Sequence, residues 1–461
     1  MALAFFFFAA APLGAATITV DSLTDDGAGC TLREAVNSAS SNTDLGGCVG
    51  DGPYGLDAID FSVKGTINLV ASITVADHLQ IRGPGAGKLT ILAATGARHF
   101  FFDSPDNSRV FYLTGLTLTG DGSNSSGGIE IKAGDSLTVG DCVISGCQWS
   151  RGGGIYNYQG NLYVSSSVVS GNTAGGDWGG GIYSYFGTCS VENSIVSGNY
   201  AAVHGGGLYV WNGTSSITNS TISGNYAASS GGGLLNRSVT TTIVNSIFWG
   251  DETPGMADEI ASQDGGSSNI TYSDVQGLIL PPVSTNMNQD PLFVDPRTAS
   301  ESPTGGGDYH LKHTSPTIDQ GTDAGVIFDI DGEERPQRGG IDMGCDEVGL
   351  VSNESFEYGG KKPKPWKRKN LTRKDRRVTG ISKKGDSSFR MIGSGEAKIL
   401  KQVIALNGQA NDKITFYGWS KSRGTLPEGG PYKIMVKAIH ADGVTKRVVK
   451  FPKKTHPWRE K

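Results

Sequence analysis

Gly179-Gly180-Gly181-Ile182-Tyr183-Ser184-Tyr185 is one of four copies of the phrase on which the fold of this chain turns. The glycine triplets start at Gly152, Gly179, Gly205 and Gly231, spaced 27, 26 and 26 residues apart. Ahead of them run Gly146, Gly171, Gly198 and Gly224, and Asn193-Ser194, Asn219-Ser220 and Asn245-Ser246 recur every 26 residues. A fixed period in this range marks stacked supersecondary units rather than one globular core. The repeated pieces Val168-Val169-Ser170, Ile195-Val196-Ser197 and Thr221-Ile222-Ser223 are strand-like. Each unit reads as three short strands with Gly or Asn at the corners. Ile155, Ile182, Leu208 and Leu234 fall in one column, an apolar interior that only rungs stacked ~4.8 Å apart can bury. Asn172, Asn199 and Asn225 share a turn position and predict an amide ladder.

Glycine, at 68 of 461 residues, is abundant without a Gly-X-Y period, which excludes collagen. Charge divides sharply: residues 1–350 hold 13 Lys+Arg against 36 Asp+Glu, net −23, and residues 351–461 hold 27 against 9, net +18. A domain boundary near residue 350 follows. Residues 1–16, with Phe5 to Phe8 and then Gly14-Ala15-Ala16, read as a signal-peptide remnant cut after Ala16, although no Lys or Arg precedes Arg33. No segment approaches the ~20 apolar residues of a spanning helix. The six cysteines suit export. Cys30 and Cys48 bracket one small loop and Cys142 and Cys147 another; the connectivity stays open.

Cys30-Thr31-Leu32-Arg33-Glu34-Ala35 closely resembles the motif of the bacterial CSLREA domain, and its apolar spacing suits one short amphipathic helix. Residues 17–64 are therefore expected to cap the first coil. Residues 65–285 resemble the right-handed parallel β-helix repeats of pectin-lyase-like and polymorphic outer-membrane proteins. Residues 286–349, with Asn288-Gln289-Asp290-Pro291, Asp329-Ile330-Asp331-Gly332 and Gly340-Ile341-Asp342, resemble the choice-of-anchor Q region and are expected to supply the last coils and a cap. Residues 350–461 are similar to carbohydrate-binding-like jelly-roll modules, lacking at least one strand of that pattern, which implies truncation. The expected class is all-β: a right-handed parallel β-helix with an N-terminal cap, followed by a partial antiparallel β-sandwich.

Several constellations bear on chemistry. Arg82-Gly83-Pro84-Gly85-Ala86-Gly87-Lys88-Leu89-Thr90 looks like a phosphate loop, but Arg82 stands where Gly is needed and Leu89 where Ser/Thr is needed, so a β-helix corner is expected. Asp141, Asp177 and Glu192 do not share a coil position, and His204 has no paired aspartates with it, so no catalytic residue is assigned. The aromatics after the triplets, Tyr156 and Tyr158, Tyr183 and Tyr185, Tyr209 and Trp211, are two apart on a strand and so share its outer face. They form either a solvent-facing strip that stacks on sugar rings or a ladder that stabilises the sheet. Trp366 and Trp419 in the C-terminal module are further glycan-binding candidates. Asp329 and Asp331 are a candidate calcium site, the one cofactor weighed. The basic run from Lys361 to Arg377 suits an acidic glycan or envelope polymer, or compensates the acidic part of the chain.

These readings combine into a secreted or cell-surface protein that binds glycans or envelope polymers as a monomer, without catalysis, a specific nucleic-acid partner or a transmembrane segment. A polysaccharide lyase or hydrolase of the pectin-lyase-like fold, or a structural surface spacer, are the alternatives.

Overall fold

The computed structural model describes residues 15–26, 29–337 and 339–349, and within 350–461 only short strands. The residues around the cleavage site expected after Ala16 are described from Ala15 onward; the rest of 1–16 lies outside the described residues.

The chain forms a right-handed parallel β-helix whose rungs repeat the glycine period. One rung runs from Ile155–Tyr158 through Asn161–Ser165 and Val168–Ser170 to Thr173–Ala174, and then into the next triplet. Stacked rungs build a first sheet of ten strands (the Asn161–Ser165 position), a second of eight (Ile155–Tyr158) and a third of nine (Val168–Ser170). The fourth, two-residue strand of each rung was not foreseen from the sequence; it forms a narrow sheet of six. Register is strict: Ile155 faces Ile182, Ile182 faces Leu208, and Leu208 faces Leu234. That column is fully buried with Val169, Val196, Ile222 and Phe248 of the third sheet.

The glycine triplet serves two needs. Its first residue takes a left-handed backbone, φ 69° at Gly179, which costs Gly little and a side chain much. Its second passes so near the neighbouring rung that a Cβ at Gly153 would lie 2.5 Å from the Gly180 and Thr173 carbonyl oxygens. Two polar ladders close the other corners. In one, the backbone N–H of each rung donates to a serine of the next, from Cys142 through Ser167, Ser194, Ser220 and Ser246 to Ser273 at 3.0–3.3 Å. In the other, Asn172 Nδ2 donates to Asn199 Oδ1 at 3.0 Å and Asn199 Nδ2 to Asn225 Oδ1 at 2.9 Å. Buried turn amides are thereby satisfied without water.

The helix Leu32–Ser41 caps the open end. Thr31 accepts from the Glu34 N–H and Glu34 accepts from the Thr31 N–H, both at 3.2 Å, a reciprocal capping box. Leu32, Ala35, Val36 and Ala39 are buried against the first coil. Arg33 forks onto buried Asp25 at 2.6 and 3.1 Å and donates to the Ser72 carbonyl at 2.9 Å. Cys30 and Cys48 are disulfide-bonded.

Cys142 and Cys147 are not joined; both are free and buried. They stand at opposite ends of the strand Val143–Ser145, where Cys142 heads the serine ladder and Cys147 the asparagine ladder. An extended strand separates their Cα atoms by well over the ~7 Å a disulfide tolerates. Cys189 and Cys345 are also free and buried.

Residues 286–348 differ from the expected last coils. After one further bridge, Asp274 with Met287, the chain leaves the coil path and folds back along the third sheet. Phe293–Asp295 pairs antiparallel with Asp308–Leu311. Thr304 N–H donates to Gly198 O at 2.9 Å, Ser302 Oγ to Gly224 O at 2.7 Å, and Asn245 Nδ2 to Thr322 O at 2.6 Å. Ile247, Phe293, Tyr309, Leu311 and Met343 form a second apolar cluster beneath this strap. The strap covers the outer face of the third sheet, where Ile195 and Ile247 would otherwise meet water and Thr221 accepts the Cys345 N–H at 3.3 Å. Arg335 locks the strap, its Nη1 3.1 Å from Glu347 Oε2 and its Nη2 3.4 Å from Asn193 Oδ1 on the coil.

Residues 349–461 form a separate unit. Its described strands pair antiparallel two by two: Lys367–Lys369 with Ile399–Lys401, Arg376–Thr379 with Ser387–Arg390, Trp419–Ser422 with His456–Glu460, and Lys433–His440 with Gly443–Lys450. Trp366 and most of the basic run lie outside the described residues, and Trp419 opens a strand.

Candidate functional site: an aromatic face on the second sheet

Side chains alternate along the second-sheet strands, so Ile155 and Asn157 point inward while Tyr156 and Tyr158 point out. In register across the rungs, Tyr156, Tyr183 and Tyr209 form one outer column. Tyr158, Tyr185 and Trp211 form the next. A third column lies at the residue just before each triplet, where Trp178 bridges to His204 and His204 to Ser230. Arg151 holds the same place one rung earlier.

The rings pack on one another. Tyr156 stacks on Tyr183 at 5.1 Å and Tyr158 on Tyr185 at 5.6 Å. Trp178 lies 5.6 Å from Tyr209, 5.8 Å from Tyr183 and 5.9 Å, edge-on, from Trp211. Trp178 therefore roofs the middle column, and this corrects the expectation of a flat strip of six exposed rings. Tyr183 and Tyr209 are 1% and 0% exposed, because a bulky indole in the preceding column leans over them. Their role is that of the ladder reading, ring packing that stabilises the sheet. The accessible rim is Tyr156, Tyr158, Trp178, Tyr185 and Trp211, all part-exposed, with Phe186 at 48%.

Cations border the face. Arg237 sits over the Trp211 ring at 4.2 Å, Arg151 over Trp178 at 5.0 Å and Lys132 over Tyr158 at 5.9 Å. Each also meets a carboxylate: Arg237 with Asp264 at 2.6 Å, Arg151 with Asp177 at 3.0 Å, and Lys132 with Glu130 at 2.5 Å. Arg151 is held above the usual guanidinium range, first by its hydrogen bond to Asp177. Burial pushes the Tyr156, Tyr183 and Tyr209 phenols up, so all three stay neutral. Burial first, and then Arg237, holds His204 below the ordinary imidazole value. The face is thus uncharged at its centre and charge-balanced at its edge.

Round the corner, the loops that carry Arg151 and Trp178 also line an open groove of about 270 Å³. Its walls are Asn124, Ser125, Gln148, Trp149, Ser150, Gly175 and Gly176. Gln148 Nε2 donates to Asn124 Oδ1 at 2.7 Å, and Arg98 stacks 4.6 Å over Trp149. Tryptophan beside amides and hydroxyls is a lining able to take a polar ring with an apolar face.

The acids weighed for catalysis do not meet. Asp177 approaches the second sheet, whereas Asp141 and Glu192 lie at the far end of the first, two rungs apart. The phosphate-loop look-alike is a coil corner leading into Leu89–Leu92, with Arg82 paired to Asp60 at 2.8 Å. Asp329 and Asp331 part company. Asp329 accepts backbone N–H groups from Asp331, Glu333 and Glu347 at 3.0, 2.6 and 3.2 Å, while Asp331 turns to His310 at 2.7 Å.

Trp178 and the groove residues are not among the sequence candidates; for Trp178 the signal lies one residue before each triplet, where Arg151, Trp178, His204 and Ser230 align.

Among solved structures the chain matches a pectate lyase, Pel9A, over 72% of its own length and 97% of that chain, at 12% identity and a TM-score of 0.32. No protein-family profile matches the sequence, and no curated protein does. The fold assignment stands on the strand register above. Among the described residues no helix is long and apolar enough to cross a membrane.

Proposed function

We propose that this chain is an exported, cell-surface β-helix of the CSLREA and choice-of-anchor Q type that binds glycans or envelope polymers in an adhesion role, with no chemistry of its own. The observation that carries this reading is the rim of part-exposed rings, Tyr158, Tyr185, Trp178 and Trp211, together with the Trp149 groove on the loops that lead into the same rungs. Sugar rings present axial C–H groups that pack on aromatic faces, and their hydroxyls need the amides and hydroxyls that the groove supplies. Because every rim cation already has a carboxylate, the face favours a neutral polysaccharide over a polyanion. The CSLREA reading is supported by the use of the motif: Cys30 in the disulfide, Thr31 and Glu34 in the capping box, Leu32 and Ala35 in the core, and Arg33 on Asp25. A disulfide also suits an oxidising compartment.

The test is retention on immobilised neutral polysaccharides for the native chain and for the double variant Tyr158→Ala with Trp211→Ala, which leaves the Trp178 roof over Tyr183 and Tyr209 in place. Loss of retention with an unchanged thermal transition supports the proposal; equal retention removes the face from it. Release of new reducing ends or unsaturated products from any polysaccharide in the same panel would favour the enzyme reading instead.

A further inference from the structure

We propose that His310, Asp331 and Asp346 form a binding site for a divalent transition-metal ion of the zinc class. One ligand atom from each residue lies within 4.8 Å of the other two. His310 comes from the strand Asp308–Leu311, Asp331 from the turn that Asp329 ties down, and Asp346 from the segment beyond Cys345. Asp346 is only 7% exposed, and its Oδ2 accepts the Leu311 N–H at 2.7 Å.

Two physical features separate this group from an ordinary surface ion pair. The donor set is one imidazole nitrogen and two carboxylates, which suits zinc-type coordination, whereas calcium prefers six to eight oxygens. The ring is oriented from behind: His310 Nδ1 lies 2.5 Å from Asp308 Oδ1, which leaves Nε2 aimed at Asp331 at 2.7 Å. A carboxylate on the far nitrogen is how metal-bound histidines are usually held.

The adjustment needed is small. Tetrahedral bonds of ~2.1 Å set ligand atoms ~3.4 Å apart, so the Asp331 oxygen draws back from Nε2 by under ~1 Å, and ligand atoms up to 4.8 Å apart close by at most ~1.4 Å. The ion would join three pieces of the strap and hold it closed over the third sheet; this role is independent of the glycan reading.

The full chain is stripped with chelator, desalted, and titrated calorimetrically with zinc chloride, with metal content read by mass spectrometry. The expected result is about one zinc per chain and a raised thermal midpoint, with no comparable shift from calcium or magnesium. His310→Gln and Asp346→Asn should abolish binding, and Asp331→Asn should weaken it at least about tenfold. Under about 0.1 zinc per chain, undiminished binding in Asp331→Asn with His310→Gln, or binding of calcium alone would each overturn the proposal.

Discussion

Asn225 donates both its backbone N–H and its side-chain amide to a single oxygen, Oδ1 of Asp251, at 2.7 and 2.8 Å. The asparagine ladder therefore ends on an acid. Asp251 in turn donates its own N–H to Glu259 at 3.2 Å, and both carboxyls are buried. Desolvation, the largest cause, pushes Asp251 up to about 7, and desolvation with the neighbouring Asp251 charge holds Glu259 well above the usual range. The folded pair retains a proton that the unfolded chain gives up near pH 4.

A raised carboxyl stabilises the folded state fully below its unfolded pKa, and this contribution is lost as pH rises through the folded value. The pair should thus lower the melting temperature between about pH 4 and 7. Asp251→Asn restores the rung type of the ladder and removes the charge conflict. Thermal unfolding should show the variant matching the native chain near pH 4 and melting at least ~2 °C higher at pH 8. A native chain that is the more stable of the two at pH 8 contradicts this account.

Within the ladder, Asn199 serves four groups: the Asn172 N–H and amide on its oxygen, and the Val169 carbonyl and Asn225 carboxamide through its nitrogen. Asn199→Ala leaves buried donors and an acceptor without partners and should cost ~2–4 kcal/mol. Urea denaturation measures it, and a loss below ~1 kcal/mol means that water replaces the ladder.

The aromatic face should divide under mutation. Tyr183 is buried beneath Trp178, so Tyr183→Ala should cost ~3–5 kcal/mol as a core truncation does. Trp211→Ala, at the part-exposed rim, should cost far less and act on polysaccharide retention instead. Equal stability losses in the two variants would mean that the rim is structural as well.

Removing the Cys30–Cys48 bridge, which closes a loop with a sequence separation of 18, should cost ~3 kcal/mol by the chain-entropy estimate. Replacing both cysteines with serine should raise amide exchange in Leu32–Ser41 ahead of the coils. The remaining four cysteines are buried thiols, pushed up to about 12 by burial, so they should react with a thiol reagent only after denaturation.

Much of this molecule is written in period. The triplets, the Ile155 column and the Asn172–Asn225 series each depend on one residue meeting its own counterpart a rung away, and such contacts show in a sequence as spacing. The Thr31 cap is local and equally legible. What period cannot show is the size of a neighbouring ring. Tyr156 and Tyr183 occupy equivalent outer-face positions one rung apart, yet Tyr183 is buried under Trp178 while Tyr156 stays part-exposed.

From sequence alone came the coil, its inward columns, its asparagine ladder and the helix that closes it, since backbone pairing and hydrophobic alternation repeat with the chain. Only the tertiary structure decided that residues 286–348 turn back as a strap, that Cys142 and Cys147 head separate ladders, and that the Asp331 carboxylate meets His310 while that of Asp329 ties down its own turn. Those outcomes rest on contacts between segments far apart in the chain, where side-chain shape and buried charge select the partner and no repeat announces it.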